Sequence, residues 1–382
     1  MYEQLRNTLK EYARVYRSFA LQADRTSEIP KEHLLNSDFK GIWGLGIPQE
    51  YGYEGFRLND GTHVYGDSST ELVICTEELA YGDPGMTLSM PGAQLLGPIV
   101  NELGSKDQKE RFFRSFLEES QPVWTGFNLT EEKAGSDVNG IQTIAEKNGD
   151  NTYLLTGEKR YIANAERAQW VVVYAKMGNQ NNAFAIQSFL LHKSEFDNSF
   201  CIRNIDRTLG MKAARLGHTI YNNLPVSHEQ ILGHDRSPLR RGLRSAVNVF
   251  FRMRPCTSSI AIGTARGMID YAKTHIDLTS NEEILVNKLE WKLEKARQLV
   301  YRAAHEVDNG VFNAKSSSMA KWMSNRTVYE VGREIFRLAG PEVLIEHPLL
   351  EKWLRDSKMI EFMEGSTNIH KREVSQEILR IN

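Results

Sequence analysis

One carboxylate in this chain sits among residues suited to proton abstraction. Glu364 lies in Phe362-Met363-Glu364-Gly365-Ser366-Thr367-Asn368, after an apolar helical face and before a glycine. Ser366 or Thr367 is placed to cap a following helix. A carboxylate at a break between helices, flanked by apolar residues, loses solvent and rises in pKa. A general base working near neutral pH needs that property. The same residues also describe a surface glutamate before a turn, which is the commoner arrangement. A second segment runs Phe127-Asn-Leu-Thr-Glu-Glu-Lys-Ala-Gly-Ser-Asp137. The hydroxyls of Thr130 and Ser136 and the amides of a turning backbone offer donors to a planar or anionic ligand. An ordinary loop has this composition too.

Other chemistries lack their residues. There is no GxGxxG after a strand and no GxxxxGK[ST] loop, which disfavours nicotinamide Rossmann enzymes and P-loop NTPases. HExxH and the GxSxG elbow are missing, and the ten histidines show no metal-ligand spacing, so no metal is expected. The net charge of −2 gives no electrostatic case for nucleic-acid binding. The densest basic stretch, Arg236 to Arg244, holds four arginines and reads as a solvated loop or a local anion contact. The three cysteines, Cys75, Cys201 and Cys256, are too far apart in sequence for a disulfide framework or a zinc knuckle. A reduced, cytoplasmic compartment fits them. The N-terminal residues carry acids and no apolar h-region, so no targeting peptide is expected. No window of about 20 apolar residues suggests a membrane span.

Three zones must position these residues. Up to about residue 122, Leu5, Leu9, Tyr12 and Val15 recur at helical steps, and Glu71–Tyr81 and Asp107–Glu119 repeat the pattern. Gly41–Phe56 reads as a Gly-rich connection. From 123 to 232 the texture changes to short runs such as Tyr153-Leu-Leu-Thr-Gly, Trp170-Val-Val-Val-Tyr-Ala and Ala183-Phe-Ala-Ile-Gln-Ser-Phe-Leu-Leu, separated by Asn- and Gly-rich turns. These predict five or more strands in a compact barrel or sandwich. From 233 to 382 long helical periods return. Helices are expected over Leu285–Val307, ended by Asn309-Gly310, and over Ser316–Leu338, ended at Gly340-Pro341. Further helices are expected over Leu349–Met363 and Asn368–Leu379. The class is α+β, with a β-domain between two helical zones.

Four stretches, in order along nearly the whole chain, together resemble the acyl-CoA dehydrogenase family. They are Glu77-Glu-Leu-Ala-Tyr-Gly, Leu129-Thr-Glu-Glu-Lys-Ala-Gly-Ser-Asp-Val, Thr156-Gly-Glu-Lys-Arg-Tyr-Ile-Ala-Asn-Ala, and Arg355-Asp-Ser-Lys followed by Met363-Glu-Gly-Ser-Thr-Asn-Ile. The resemblance implies an N-terminal helical domain (1–122), a central β-barrel (123–232) and a C-terminal four-helix bundle (233–382). FAD would lie between the last two. It implies Glu364 as catalytic base, with its own N–H helping to stabilise enolate charge. Thr130 matches a threonine at the flavin ring, with Leu129 beside it. Ser136 matches a serine near the pantetheine arm, and Arg254 an arginine near the active-site mouth. Tyr161 stands where an aromatic, usually Trp, packs on the ring. Ser366 and Asn368 stand where Thr and Gln usually meet the adenosine part. A homo-oligomer, dimer or tetramer, is implied as well.

The pattern also breaks. Ala163 replaces a Thr or Ser whose hydroxyl usually reaches flavin N5. Phe251 replaces a common acid beside the coenzyme A arm. Glu132-Lys133 replaces Pro-Gly in the binding turn, and Gly340-Pro-Glu-Val replaces a Gly-Gly-x-Gly turn. Tyr271–Ser280 lacks the Arg-Lys-x-Phe-Gly motif, whose arginine holds FAD pyrophosphate from a neighbouring subunit in the family. These changes cluster at the FAD adenine end and the coenzyme A arm. They suggest an acyl carrier protein as donor, as in the family's polyketide and nonribosomal peptide branch, which oxidises small hydroxyacyl groups. Exposed arginines in 236–244 would suit such an acidic carrier. The alternatives are ordinary acyl-CoA metabolism, a flavin monooxygenase on the same fold, or a cofactor-free carrier-binding scaffold.

Overall fold

A computed structural model describes residues 2–35, 38–119, 121–178, 185–237 and 240–380. Helix α1 (Tyr2–Thr26) buries Leu5, Leu9, Ala13 and Tyr16, one stripe at the helical period. It packs on α4 (Ser69–Gly82), which starts where the Ser68 side chain accepts the Glu71 N–H. The predicted Gly-rich connection is more ordered than its composition suggests. It begins inside α3 (Asp38–Trp43), which α2 (Lys31–Leu35) precedes, and ends at β1 (Phe56–Arg57), which pairs with β2 (His63–Val64). Helices α5 (Pro84–Ser89), α6 (Gly97–Leu103) and α7 (Lys106–Glu118) complete the N-terminal zone, and a reciprocal Ser105–Gln108 box caps α7.

The middle zone is one seven-stranded sheet rather than a closed barrel. Its strands are β3 (Trp124–Asn128), β4 (Ile144–Lys147), β5 (Thr152–Ile162), β6 (Ala168–Met177), β7 (Ile186–His192), β8 (Phe200–Ile205) and β9 (Gly217–Ser227). The order is β3-β6-β4-β5-β9-β8, with β7 paired to β6. The sheet curls around a core of Leu155, Val173, Phe189 and Leu224, and the rings of Tyr153 on β5 and Phe189 on β7 lie 6.4 Å apart. Sheet twist brings these strands together, while β8 remains an edge. Strand β7 begins at Ile186, and Ala183 and Phe184 of its predicted run lie outside the described residues.

The C-terminal zone packs α8 (Leu243–His275), α9 (Ser280–Asp308) and α10 (Ala314–Ala339) with α12 (Pro348–Ile360) and α13 (Thr367–Arg380), and α11 (Val343–Glu346) forms a single turn. Asn309 and left-handed Gly310 end α9 at the predicted cap. Gly263 lets α8 approach α4, since a Cβ there would stand 2.1 Å from the Glu77 carbonyl oxygen. Buried charge ties the outer zones together. Glu77 and Glu78 meet Arg6 and Arg266, and Glu77 also meets Arg297. Lys352 sits between Asp83 and Asp356. Of the predicted basic stretch, residues 238–239 lie outside the described residues, and so does the Arg244 side chain. No helix is long and apolar enough to cross a membrane among the described residues.

Candidate active site

Helix α12 stops at Ile360, and the turn Glu361–Gly365 carries Glu364. Both Glu364 (φ 55°) and Gly365 (φ 99°) are left-handed. For a glutamate this conformation costs about 1 kcal/mol or more and persists only where the surroundings hold it. Three groups do so. The Lys321 ammonium donates to the Ile360 carbonyl at 2.7 Å. The Glu361 carboxylate accepts from the Thr367 N–H at 2.8 Å and the Thr367 hydroxyl at 2.7 Å. His370 Nε2 lies 3.0 Å from the Gly365 carbonyl oxygen, to which it donates. The start of α13 is therefore capped by the side chain of Glu361, not by Ser366 or Thr367 as predicted. A carboxylate six residues upstream reaches the first N–H because the turn doubles back. The Ser366 carbonyl accepts from Ile369 and His370, and Asn368 is exposed.

Glu364 Oε2 is buried without a hydrogen-bond partner. Burial raises this carboxyl above the usual glutamate range, and the charges of Arg254 and Lys321 pull it only part of the way back. Arg254, on α8, is buried and gives two nitrogens to Glu373 at 2.7 and 3.2 Å and one to Ser318 at 3.2 Å. Its guanidinium is thus committed inside the helices, behind the base. His370 joins the same cluster through Ser318 at 3.3 Å. Burial and the charges of Arg254 and Lys321 hold it at about 4, so it is neutral at neutral pH.

The second group of predicted residues comes from the sheet. A bulge between Lys159 and Ile162 re-aims Tyr161, which is left-handed (φ 61°) and 52% exposed. A large ring held open on strained backbone is a mark of a functional constraint. The Arg160 N–H donates to the Thr130 carbonyl, which puts Thr130 beside Tyr161. Buried Lys159 donates to the Leu129 carbonyl at 3.1 Å and to Glu131 at 2.8 Å. Glu131 in turn accepts from Gln142 and Thr143. One ion pair therefore fixes the turn from 129 to 143. Ala163 is half-buried after the bulge, and Ser136 is exposed on the turn.

Tyr174 links the two groups. It lies on β6, packs against Phe127 at 5.3 Å, and has a buried hydroxyl without a partner. Burial raises its pKa, and the charge of Glu364 raises it further, so the base turn faces this strand. The sequence reading missed Tyr174, Lys321, His370, Glu373 and the Glu131–Lys159 pair. Lys321 alone left a trace: it follows Ala320 on the buried stripe of α10 that continues through Ser324 and Val328, where an apolar residue is expected.

Family models for the acyl-CoA dehydrogenase N-terminal, middle and C-terminal domains match residues 2–120, 126–224 and 240–379, in that order. The chain belongs to the acyl-CoA dehydrogenase family. It is 26% identical to a 3-(aryl)acrylate reductase of Clostridium sporogenes, over 99% of this chain and 98% of that protein. Its fold is similar to that of the prolyl acyl carrier protein oxidase AnaB, with a TM-score of 0.84 at 20% identity over 99% of this chain and 98% of the other. It is likewise similar to a glutaryl-CoA dehydrogenase from Mycobacterium smegmatis in complex with FADH2, with a TM-score of 0.80 at 19% identity over 99% and 94%. The family is one of flavin-dependent dehydrogenases, and its members bind FAD. In this chain, two partnerless buried oxygens on Glu364 and Tyr174, and a ring presented at Tyr161, are what a flavin with an adjoining thioester would need.

Proposed function

We propose that this chain is an FAD-dependent dehydrogenase of a small acyl thioester, most suitably a hydroxyacyl group, carried on an acyl carrier protein. One observation carries the reading: a glutamate whose Oε2 is buried without a partner, on a turn that three other side chains hold in a left-handed conformation. When bound between the sheet and the C-terminal helices, FAD supplies the hydride acceptor. Leu129, Thr130, Tyr161 and Ala163 would orient its ring, and Ser366 and Asn368 would lie toward its adenosine part. Glu364 removes the proton next to the thioester carbonyl. Its own N–H is a donor for the negative charge that develops on that carbonyl oxygen. Ser136, exposed on the turn, would meet the pantetheine arm. Arg254 would act from behind the base, since Glu373 already takes its guanidinium. The carrier protein is favoured over coenzyme A by Phe251, an apolar ring where the family often has an acid. The three units 1–122, 123–232 and 233–382, in a homo-oligomer, would frame this site.

The test is the visible spectrum of FAD-loaded protein, titrated anaerobically with a small hydroxyacyl group on carrier protein and then on coenzyme A. Bleaching by the carrier-bound form alone is the expected result. Bleaching by coenzyme A thioesters at equal efficiency would remove the carrier assignment. No flavin uptake at all would remove the enzymatic one. A separate expectation concerns the turn from 129 to 143. Lys159→Met should weaken FAD binding by roughly tenfold, because Glu131 then no longer ties Leu129 to Thr143. Equilibrium dialysis of FAD against both proteins checks this.

A further inference from the structure

Three lysines are buried among the described residues: Lys159, Lys321 and Lys352. A buried ammonium is expensive unless a carboxylate neutralises it. Lys159 contacts Glu131 at 2.8 Å, and Lys352 contacts Asp356 at 2.6 Å and Asp83 as well. Lys321 differs. Its hydrogen bonds go to two neutral oxygens, Asn325 Oδ1 at 2.6 Å and the Ile360 carbonyl at 2.7 Å. Among the described residues, no carboxylate lies within ion-pair distance of it. The stability of the bundle does not call for a charge at this point.

What Lys321 touches gives the reason. Ile360 ends α12, and the turn bearing Glu364 begins at the next residue. We propose that Lys321 is the positioning residue of the base: its ammonium pins the last carbonyl of α12 and sets a positive charge behind the Glu364 carboxylate. This rests on Glu364 being the base. The other groups around that carboxylate do not do the same work. Arg254 on α8 is a cation, but Glu373 of α13 holds it through two nitrogens. Cys256, also on α8, is pushed up to about 12 by burial first, with Asp308 and Glu364 adding to the rise, and stays neutral. Tyr174 on β6 is neutral for the same reason, and so is His370 on α13. Glu361 on the turn itself is taken up by Thr367. Burial lowers Lys321 to about 7, against the pull of Glu361 and Glu364. It is therefore charged through the acid range, where the carboxyl takes up its proton.

Two substitutions separate its two tasks. Lys321→Gln removes the charge and keeps an N–H for the Ile360 carbonyl, whereas Lys321→Met removes both. The first readout uses the full chain without substrate. Infrared spectra of each protein, minus its Glu364→Gln counterpart, are followed over pH. The Glu364 carboxyl should keep its proton to higher pH in both variants. The second readout is the pH profile of kcat/KM with FAD-loaded protein and the acyl-carrier donor. It should fall about tenfold at the acid end, with the alkaline plateau little changed for Lys321→Gln. An unmoved carboxyl titration in a folded variant overturns the proposal, even if melting temperature falls. Failure of both variants to fold overturns it too, since Lys321 would then serve the bundle. Undiminished turnover in Glu364→Gln would instead overturn the reading of Glu364 as base, which is a separate result.

Discussion

Glu364→Gln should still bind FAD and should lose turnover by about 10⁴-fold, the upper range for removal of a general base. The amide keeps the size of the side chain and the left-handed turn, so its three supports at Ile360, Glu361 and Gly365 remain. What it loses is the ability to take a proton. The measurement pairs the flavin absorption of the purified variant with anaerobic reduction by the acyl donor. A bound flavin that no longer bleaches is the expected outcome. Retained bleaching would place the base elsewhere. The wild-type pH profile carries the same information. Burial raises the Glu364 pKa, so the base form is present above that raised value. Activity should therefore fall as pH drops through a limb lying above the usual glutamate range.

Lys352→Met should destabilise the protein by about 3–5 kcal/mol, because it leaves Asp83 and Asp356 buried together without their cation. The lysine joins the first helical zone to the last, and Asp356 also accepts the Met211 N–H at 2.6 Å. Loss of the cation therefore loosens three segments at once. Burial opposes the charge of Lys352, but Asp356 and then Asp83 outweigh it and hold its pKa above the lysine range. A folded-state pKa raised in this way gives stability that is complete below the unfolded lysine value, and so throughout the neutral range. It would be lost only as pH rises through the folded value. Burial raises the Asp356 carboxyl and the charge of Asp83 adds to the rise, so the deficit should shrink in mildly acidic buffer, where Asp356 takes up a proton. Urea unfolding at neutral and mildly acidic pH measures both effects. A deficit under 1 kcal/mol would mean that the cation is replaceable by packing.

Local pattern and motif order carried much of this protein. The helical stripe of α1, the Asn309-Gly310 cap, the change of texture near residue 123 and the order of the four motifs are all nearest-neighbour or short-range features, and they are readable along the chain. The immediate neighbours of Glu364 fit a surface glutamate equally well, and it was the order of the four motifs that singled it out as the candidate base. Long-range pairing decided the rest. Whether seven strands close or curl depends on which edges meet, and β3 pairs with β6 far along the chain, Gly126 with Val171. The cap of α13 comes from Glu361, six residues before Thr367, because a left-handed turn folds the chain back. Arg254 meets Glu373 across 119 residues, so its sequence neighbours gave no sign that its charge was already taken. A lone lysine in a helix looks like a solvated charge. Only the packing of α10 against the end of α12 placed Lys321 in a dry interior, on a carbonyl 39 residues away. Sequence determined which groups were available for chemistry. Tertiary structure decided which of them lost water and which charges faced one another, because desolvation and Coulomb interaction depend on distance in space and not on separation along the chain.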